Sequence, residues 1–190
     1  MKTSNKPLNH DQMICTERLI LRNWKESDFD PFADMCADQD VMKYFPSTLN
    51  RDESVALALK IKSLIDERGW GAWAVEIPNQ CNFIGFVGLH IPQDNLPFSP
   101  CVEVLWRLAK PFWGNGYATE AAIAAINFGF SELELTEIVA FTTATNTPSI
   151  RVMEKIGMQN SHSDFAHPDI STDSPLSQHL LYRISSDSIY

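Results

Sequence analysis

Two glycines one residue apart, Gly114 and Gly116, lie between a stretch that reads as a strand and a long alanine-rich stretch that reads as a helix. Glycine has no Cβ, so a backbone carrying two of them can turn tightly and let a ligand approach closely. The first N–H groups of the following helix have no partner within it, and its dipole favours negative charge there. A phosphate or pyrophosphate fits such a helix start. Two other phosphate motifs match less well. A dinucleotide fingerprint wants a third Gly or Ala where Thr119 stands, and a Walker A loop wants Lys followed by Ser or Thr where Tyr117 and Ala118 stand. His10, His90, His162, His167 and His179 show no paired-ligand spacing, so no metal site is expected. Cys15, Cys36, Cys81 and Cys101 are scattered without a CxxC pair, which suits a reduced cytoplasmic protein.

The elements that must hold this turn follow from hydrophobic period and punctuation. Thr16 to Asn23 reads as a strand. Ser27 opens a short helix to about Ala37, and a further helical turn spans Val41 to Tyr44. Arg51 to Arg68 is a clear helix, with Asn50 as its cap and Gly69 as its stop. Its expected apolar face is Val55, Leu57, Leu59, Ile61, Leu64 and Ile65. Trp73 to Ile77, Phe83 to Ile91 and Cys101 to Leu108 then read as three strands of a meander. Tyr117 to Leu133 is a helix, Glu137 to Thr143 a strand, and Pro148 to Ile156 a helix with Gly157 just beyond it. Strand candidates follow near Asp164 and at His179 to Ile184. An antiparallel meander followed by late βαβα units is an α+β (mixed α/β) fold, not a doubly wound sheet.

The chain has 190 residues, which suits one domain: a flexible segment over 1–14, the domain over 15–185 and a tail over 186–190. Its 15 Lys and Arg stand against 24 Asp and Glu, for a net charge of −9. That balance argues against a nucleic-acid partner and mildly favours a cationic or neutral substrate. No run of eighteen apolar residues is present to span a membrane, and the polar first ten residues are not a secretory signal. A homodimer is compatible with the many aromatic residues.

The run from Glu103 to Leu108, the turn Trp113 to Ala121, and the segment Asn146 to Met158 resemble the acetyl-CoA core of the GCN5-related N-acetyltransferases. Thr16 to Arg22 matches as well, and together these resemble the branch typified by ribosomal-protein alanine acetyltransferases, which also holds enzymes for small molecules. The resemblance covers roughly 16–184. One departure is Pro111, where the wider family carries Gln or Arg three residues before the first glycine; binding through backbone N–H groups does not need that side chain.

The resemblance implies a largely antiparallel sheet with a splayed parallel pair, Cys101 to Leu108 and Glu137 to Thr143. The pantetheine arm of acetyl-CoA would pair with backbone from Leu105, Trp106, Arg107 and Leu108. The pyrophosphate would sit on Gly114, Asn115, Gly116, Tyr117 and Ala118. Asn146 would contact the cofactor near its acetyl end, and Arg107, Lys110 and Arg151 are nearby cations. Glu103, the only carboxylate on its strand, is the candidate base, acting through water. A backbone N–H near Leu105 or Trp106 would hold the oxyanion. Many relatives use a Tyr to protonate the leaving thiolate; this helix has none, and Ser149 in its first turn is the candidate, the alternative being that it satisfies the helix end. Tyr44, Trp73, His167 and His179 are candidates for the acceptor side. The acceptor stays open between a protein N-terminus, an amino acid, a polyamine and an antibiotic. A non-catalytic acyl-CoA sensor and a nucleotide-dependent enzyme are the alternatives.

Overall fold

The structure is a computed structural model that describes residues 13–92 and 95–188. Nine strands form one sheet in the order β1-β2-β3-β4-β5-β6-β9-β7, with β8 also pairing β9. The strands are β1 (Ile14–Cys15), β2 (Ile20–Arg22), β3 (Ala72–Ile77), β4 (Cys81–His90), β5 (Glu103–Leu108), β6 (Glu137–Thr143), β7 (Gln159–Asn160), β8 (Phe165–Ala166) and β9 (Gln178–Ser185). Every pairing is antiparallel except β5 with β6. The mixed α/β class and the parallel pair expected from the sequence are both present. Of the expected N-terminal segment, residues 1–12 lie outside the described residues, and Ile14 is already in β1. Of the expected tail, Ser186–Ser188 forms a 3₁₀ turn and 189–190 lie outside the described residues.

Among the described residues four helices pack on the two faces: α1 (Phe29–Ala37), α2 (Arg51–Arg68), α3 (Tyr117–Ser131) and α4 (Thr147–Lys155). Trp24 and Phe86 meet Phe32 of α1 on one face. On the other, Trp73 meets Phe128 of α3 edge-on at 5.1 Å. A smaller core of Leu96, Val139, Phe165 and Leu181 closes the C-terminal end of the sheet.

Local chemistry explains most of the boundaries. Asn50 Oδ1 accepts from the Glu53 N–H at 3.0 Å while Glu53 Oε2 accepts from the Asn50 N–H at 2.8 Å, a capping box. Gly69 ends α2 at φ 78°, in the left-handed region. The face of α2 matches the expected one in part: Ile65 is buried, and Leu57 and Ile61 pack against the core. Ser54, Ala58 and Ile65 are its buried residues, and Leu59 is 51% exposed. Positions 54, 58 and 65 form one stripe at helical spacing, and small residues there let the helix lie close to α1. Ser27 does not open α1. A 3₁₀ turn over Glu26–Asp28 precedes it, and Asp28 accepts the Lys25 N–H at 2.8 Å. Asp28 also takes a bidentate pair from buried Arg22, at 2.8 and 2.9 Å. Of the strand expected over 16–23 only β2 (Ile20–Arg22) forms; Thr16 and Leu19 bond each other in the turn that brings it back antiparallel to β1.

Candidate functional site

The turn before α3 is held from several directions. A 3₁₀ turn over Lys110–Phe112 follows β5, and the Trp113 indole donates to the Leu108 carbonyl at 2.7 Å. Asn115 Nδ2 donates to the Phe112 and Trp113 carbonyls at 3.3 and 3.1 Å. Its side chain therefore shapes the loop, and only its backbone is left to face a ligand. Gly116 is the N-cap at φ 81° and supplies no side-chain cap. The first helical bond runs from the Glu120 N–H to the Gly116 carbonyl at 3.0 Å. The N–H groups of Tyr117, Ala118 and Thr119 consequently point out of the helix start, the arrangement an anion needs.

A clamp beneath this turn has no counterpart in the sequence reading. Glu120 Oε1 accepts from Thr16 Oγ1 at 2.6 Å and from the Arg18 N–H at 2.9 Å. Arg18 Nε donates to Glu120 Oε2 at 2.7 Å and its Nη1 donates to the Asn115 carbonyl at 3.0 Å. The guanidinium also lies 4.8 Å over the Tyr117 ring. Burial raises the Glu120 pKa, but the hydrogen bonds from Thr16 and Arg18 outweigh it and hold the carboxyl below its usual value. Thr16 and Glu120 are 104 residues apart, a separation no motif spacing could reveal.

The parallel pair meets at one register point, Glu103 opposite Val139, where the Val139 N–H donates to the Val102 carbonyl at 2.9 Å. Beyond it β5 and β6 diverge. The direction of each backbone group on β5 follows from two bonds. The Val102 carbonyl faces β6, while the Ala109 N–H faces β4 and donates to Ile84 at 2.9 Å. Because these groups alternate along a strand, Val104, Trp106 and Leu108 turn their backbone toward the gap, and Leu105 and Arg107 turn theirs to β4. Of the four residues expected to pair with the pantetheine, two thus face the gap, and Trp106 rather than Leu105 presents an N–H there.

The side chains alternate too. Val104 and Leu108 go to the core under α3, and Glu103, Leu105 and Arg107 share the face covered by α1. Burial pushes the Glu103 carboxyl up to about 8. Arg107 lies on Phe45 and Phe86, 4.1 and 5.4 Å from their ring centroids. It therefore points away from the glycine turn, against the expectation that it helps hold the cofactor there. Lys110 pairs with Asp40 at 2.5 Å. Asn146 caps α4, its Oδ1 accepting from the Ser149 N–H at 3.3 Å and its Nδ2 donating to Thr142 Oγ1 at 2.9 Å. Ser149 is half-buried in the first turn of α4, and Arg151 is exposed farther along it. Thr142 alternates with Thr143 and lies with Ile138 on the α3 side, so Ser149 and Glu103 flank the gap from opposite faces.

Among the acceptor-side candidates, Trp73 is a correction. It is 1% exposed and packed on Phe128, on the α3 side, so it serves the core. Tyr44 is half-buried beside Phe45. His167 and His179 come together with ring centroids 5.0 Å apart, among Phe98, Phe141 and Phe165. Burial lowers the pKa of both, so the pair is neutral near pH 7.

Comparison with known proteins agrees with this geometry. Residues 18–159 match the acetyltransferase (GNAT) domain. The uncharacterized protein YkkB of Bacillus subtilis (strain 168) is 32% identical over 157 residues, 81% of this chain and 89% of its own. The crystal structure of a GNAT-family acetyltransferase from Bacillus anthracis superposes with a TM-score of 0.78 at 28% identity, covering 93% of this chain and 99% of that one. RimL, the ribosomal L7/L12 α-N-protein acetyltransferase solved with coenzyme A, shares the fold at 14% identity with a TM-score of 0.72, covering 93% and 99%. The chain belongs to the GNAT acetyltransferases, enzymes whose acetyl donor is acetyl-CoA.

Proposed function

We propose that the protein transfers acetyl from acetyl-CoA to a primary amine by direct attack within a ternary complex, with Glu103 as the base. The observation that carries this reading is the Glu103 carboxyl, raised to about 8 by burial on the strand whose Trp106 N–H faces the gap. In the reaction the acceptor ammonium gives a proton to the Glu103 carboxylate through water. Its nitrogen then attacks the thioester carbon, and the oxyanion is held by the Trp106 N–H. When the C–S bond breaks, the second amine proton passes through water to Ser149 as the Ser149 hydroxyl gives its own proton to the thiolate, so the hydroxyl is restored and CoA leaves as the thiol. The pantetheine arm runs along the backbone of Val104 and Trp106, and the pyrophosphate lies on the N–H groups of Tyr117 and Ala118.

The test is CoA release from acetyl-CoA with a panel of amines, followed across pH. We expect kcat/KM to rise with an inflection near 8, and Glu103→Gln to abolish that limb while lowering kcat by about a hundredfold. The KM for acetyl-CoA should stay within about threefold, since Glu103 does not hold the donor. Equal kinetics of parent and variant at every pH would remove Glu103 from the mechanism. Tight acetyl-CoA binding with no turnover of any amine would favour a sensor on the same fold.

A further inference from the structure

Arg22 and Arg107 are both arginines with buried guanidinium atoms, and they are treated in opposite ways. Arg22 donates to both oxygens of Asp28, to Glu76 and to the Asn23 carbonyl. Arg107 has none of this. Its Nη1 donates to the Cys36 thiol at 3.5 Å, and its Nε is buried with no hydrogen-bond partner. No carboxylate pairs with it among the described residues, since Asp40, in the segment that also carries Phe45, is taken by Lys110. Burial lowers its pKa and no acidic group offsets that. A planar cation lying over Phe45 and near Phe86 with its Nε–Nη2 edge unpaired is the half of a fork that recognises a carboxylate.

Its position says whose carboxylate. Arg107 lies four residues along β5 from Glu103 on the same face, about 13 Å away at strand rise. The donor's backbone contacts lie in the gap instead, and its phosphates lie at α3. The covering ring, Phe45, is 39% exposed and borders solvent. An anion reaching Arg107 therefore comes with the acceptor.

We propose that Arg107 binds the carboxylate of the acceptor, which is a small amine that also carries a carboxylate, an amino-acid-type molecule. This rests on the N-acetyltransferase reading above. It explains why the fold keeps an unsatisfied cation at this place. It also argues against polyamine acceptors, which would bring a second positive charge against an unpaired one. A zwitterion is neutral overall and meets no penalty from the net charge of −9.

The experiment is calorimetric binding of amino acids with increasing separation between amine and carboxylate, their amides and spermidine to the protein saturated with CoA, where no transfer can occur. We expect at least one amino acid to bind about tenfold tighter than its amide, the difference of one charge-assisted hydrogen bond, and spermidine to bind more weakly still. In Arg107→Met that preference should fall to about one. Its melting temperature should equal or exceed the parent's, because an uncompensated buried charge has been replaced by an apolar chain of similar length. Arg107→Gln gives a second reading of the preference. Amides or spermidine binding as well as the acids in the parent would overturn the proposal, as would an unchanged preference in both variants. Preferential binding of acids that are never acetylated would uphold Arg107 and sink the transfer reaction instead.

Discussion

Glu103 costs the fold stability in the pH range where its carboxylate is useful. Its usual value of 4.5 is raised to about 8 in the folded protein by burial. Between those values the folded state holds a proton that the unfolded chain has released. The stabilising contribution is therefore complete below 4.5, declines as pH rises, and is gone above about 8. Glu103→Gln removes the titration, so the variant should melt higher than the parent above pH 8 and differ little near pH 4. Thermal unfolding at several pH values checks this, and parallel melting curves at all of them would show that the carboxyl is not set apart from water. Such a residue is only half legible in a sequence. Glu103 stands out as the one carboxylate on its strand. Its enclosure depends on strand neighbours remote in the chain, His90 on β4 and Val139 on β6. Arg18 and Arg107 make the same point. Nothing local says that one lies under the donor turn and the other faces the opposite way, because both answers come from which strand pairs with which.

Elements were more legible than residues where their ends carry local chemistry. Asn50 and Gly69 bracket α2, and β6 and the start of α3 fall at the expected positions, because caps, glycine turns and hydrophobic period act within a few residues. The two-residue strand β7 carries no period to detect, and the apolar face of α2 is legible only in part: Leu57, Ile61 and Ile65 pack on the core, while small Ser54 and Ala58 set the closest approach. The splay was legible only through family resemblance, since it reflects strand pairing at a distance. The donor turn supports a sharper test. Gly116 has φ 81°, and a Cβ there would stand 3.4 Å from Arg18 Nη2. Gly114 has φ 78°, but its Cβ would meet nothing within 4 Å. Both substitutions incur left-handed strain of about 1–2 kcal/mol. Gly116→Val also disturbs the clamp, so we expect it to abolish calorimetric acetyl-CoA binding in a protein still folded by circular dichroism. Gly114→Ala should lose stability and keep much of its affinity. Full affinity in Gly116→Val would place the phosphates elsewhere.

At the scale of the molecule, the net charge of −9 opposes an anionic donor. At the proposed site the local dipoles at α3 and the backbone in the gap offset that charge. Acetyl-CoA at about a hundred times its Kd should add roughly 2.7 kcal/mol. For a domain of this size that is on the order of 5–10 °C in melting temperature. CoA should do nearly as well, while a selective response to ATP or NADH would contradict the site. No helix among the described residues is long and apolar enough to cross a membrane. One strand also bears on how such enzymes diverge. Along β5 the backbone of Val104 and Trp106 faces the gap proposed for the donor, and the side chains of Leu105 and Arg107 lie on the face proposed for the acceptor. Donor recognition written in peptide groups survives any substitution that does not remove an N–H, as proline would. The acceptor face can therefore drift under selection while the donor is inherited unchanged, and a lineage can acquire a new amine through one or two codons without first losing its source of acetyl groups.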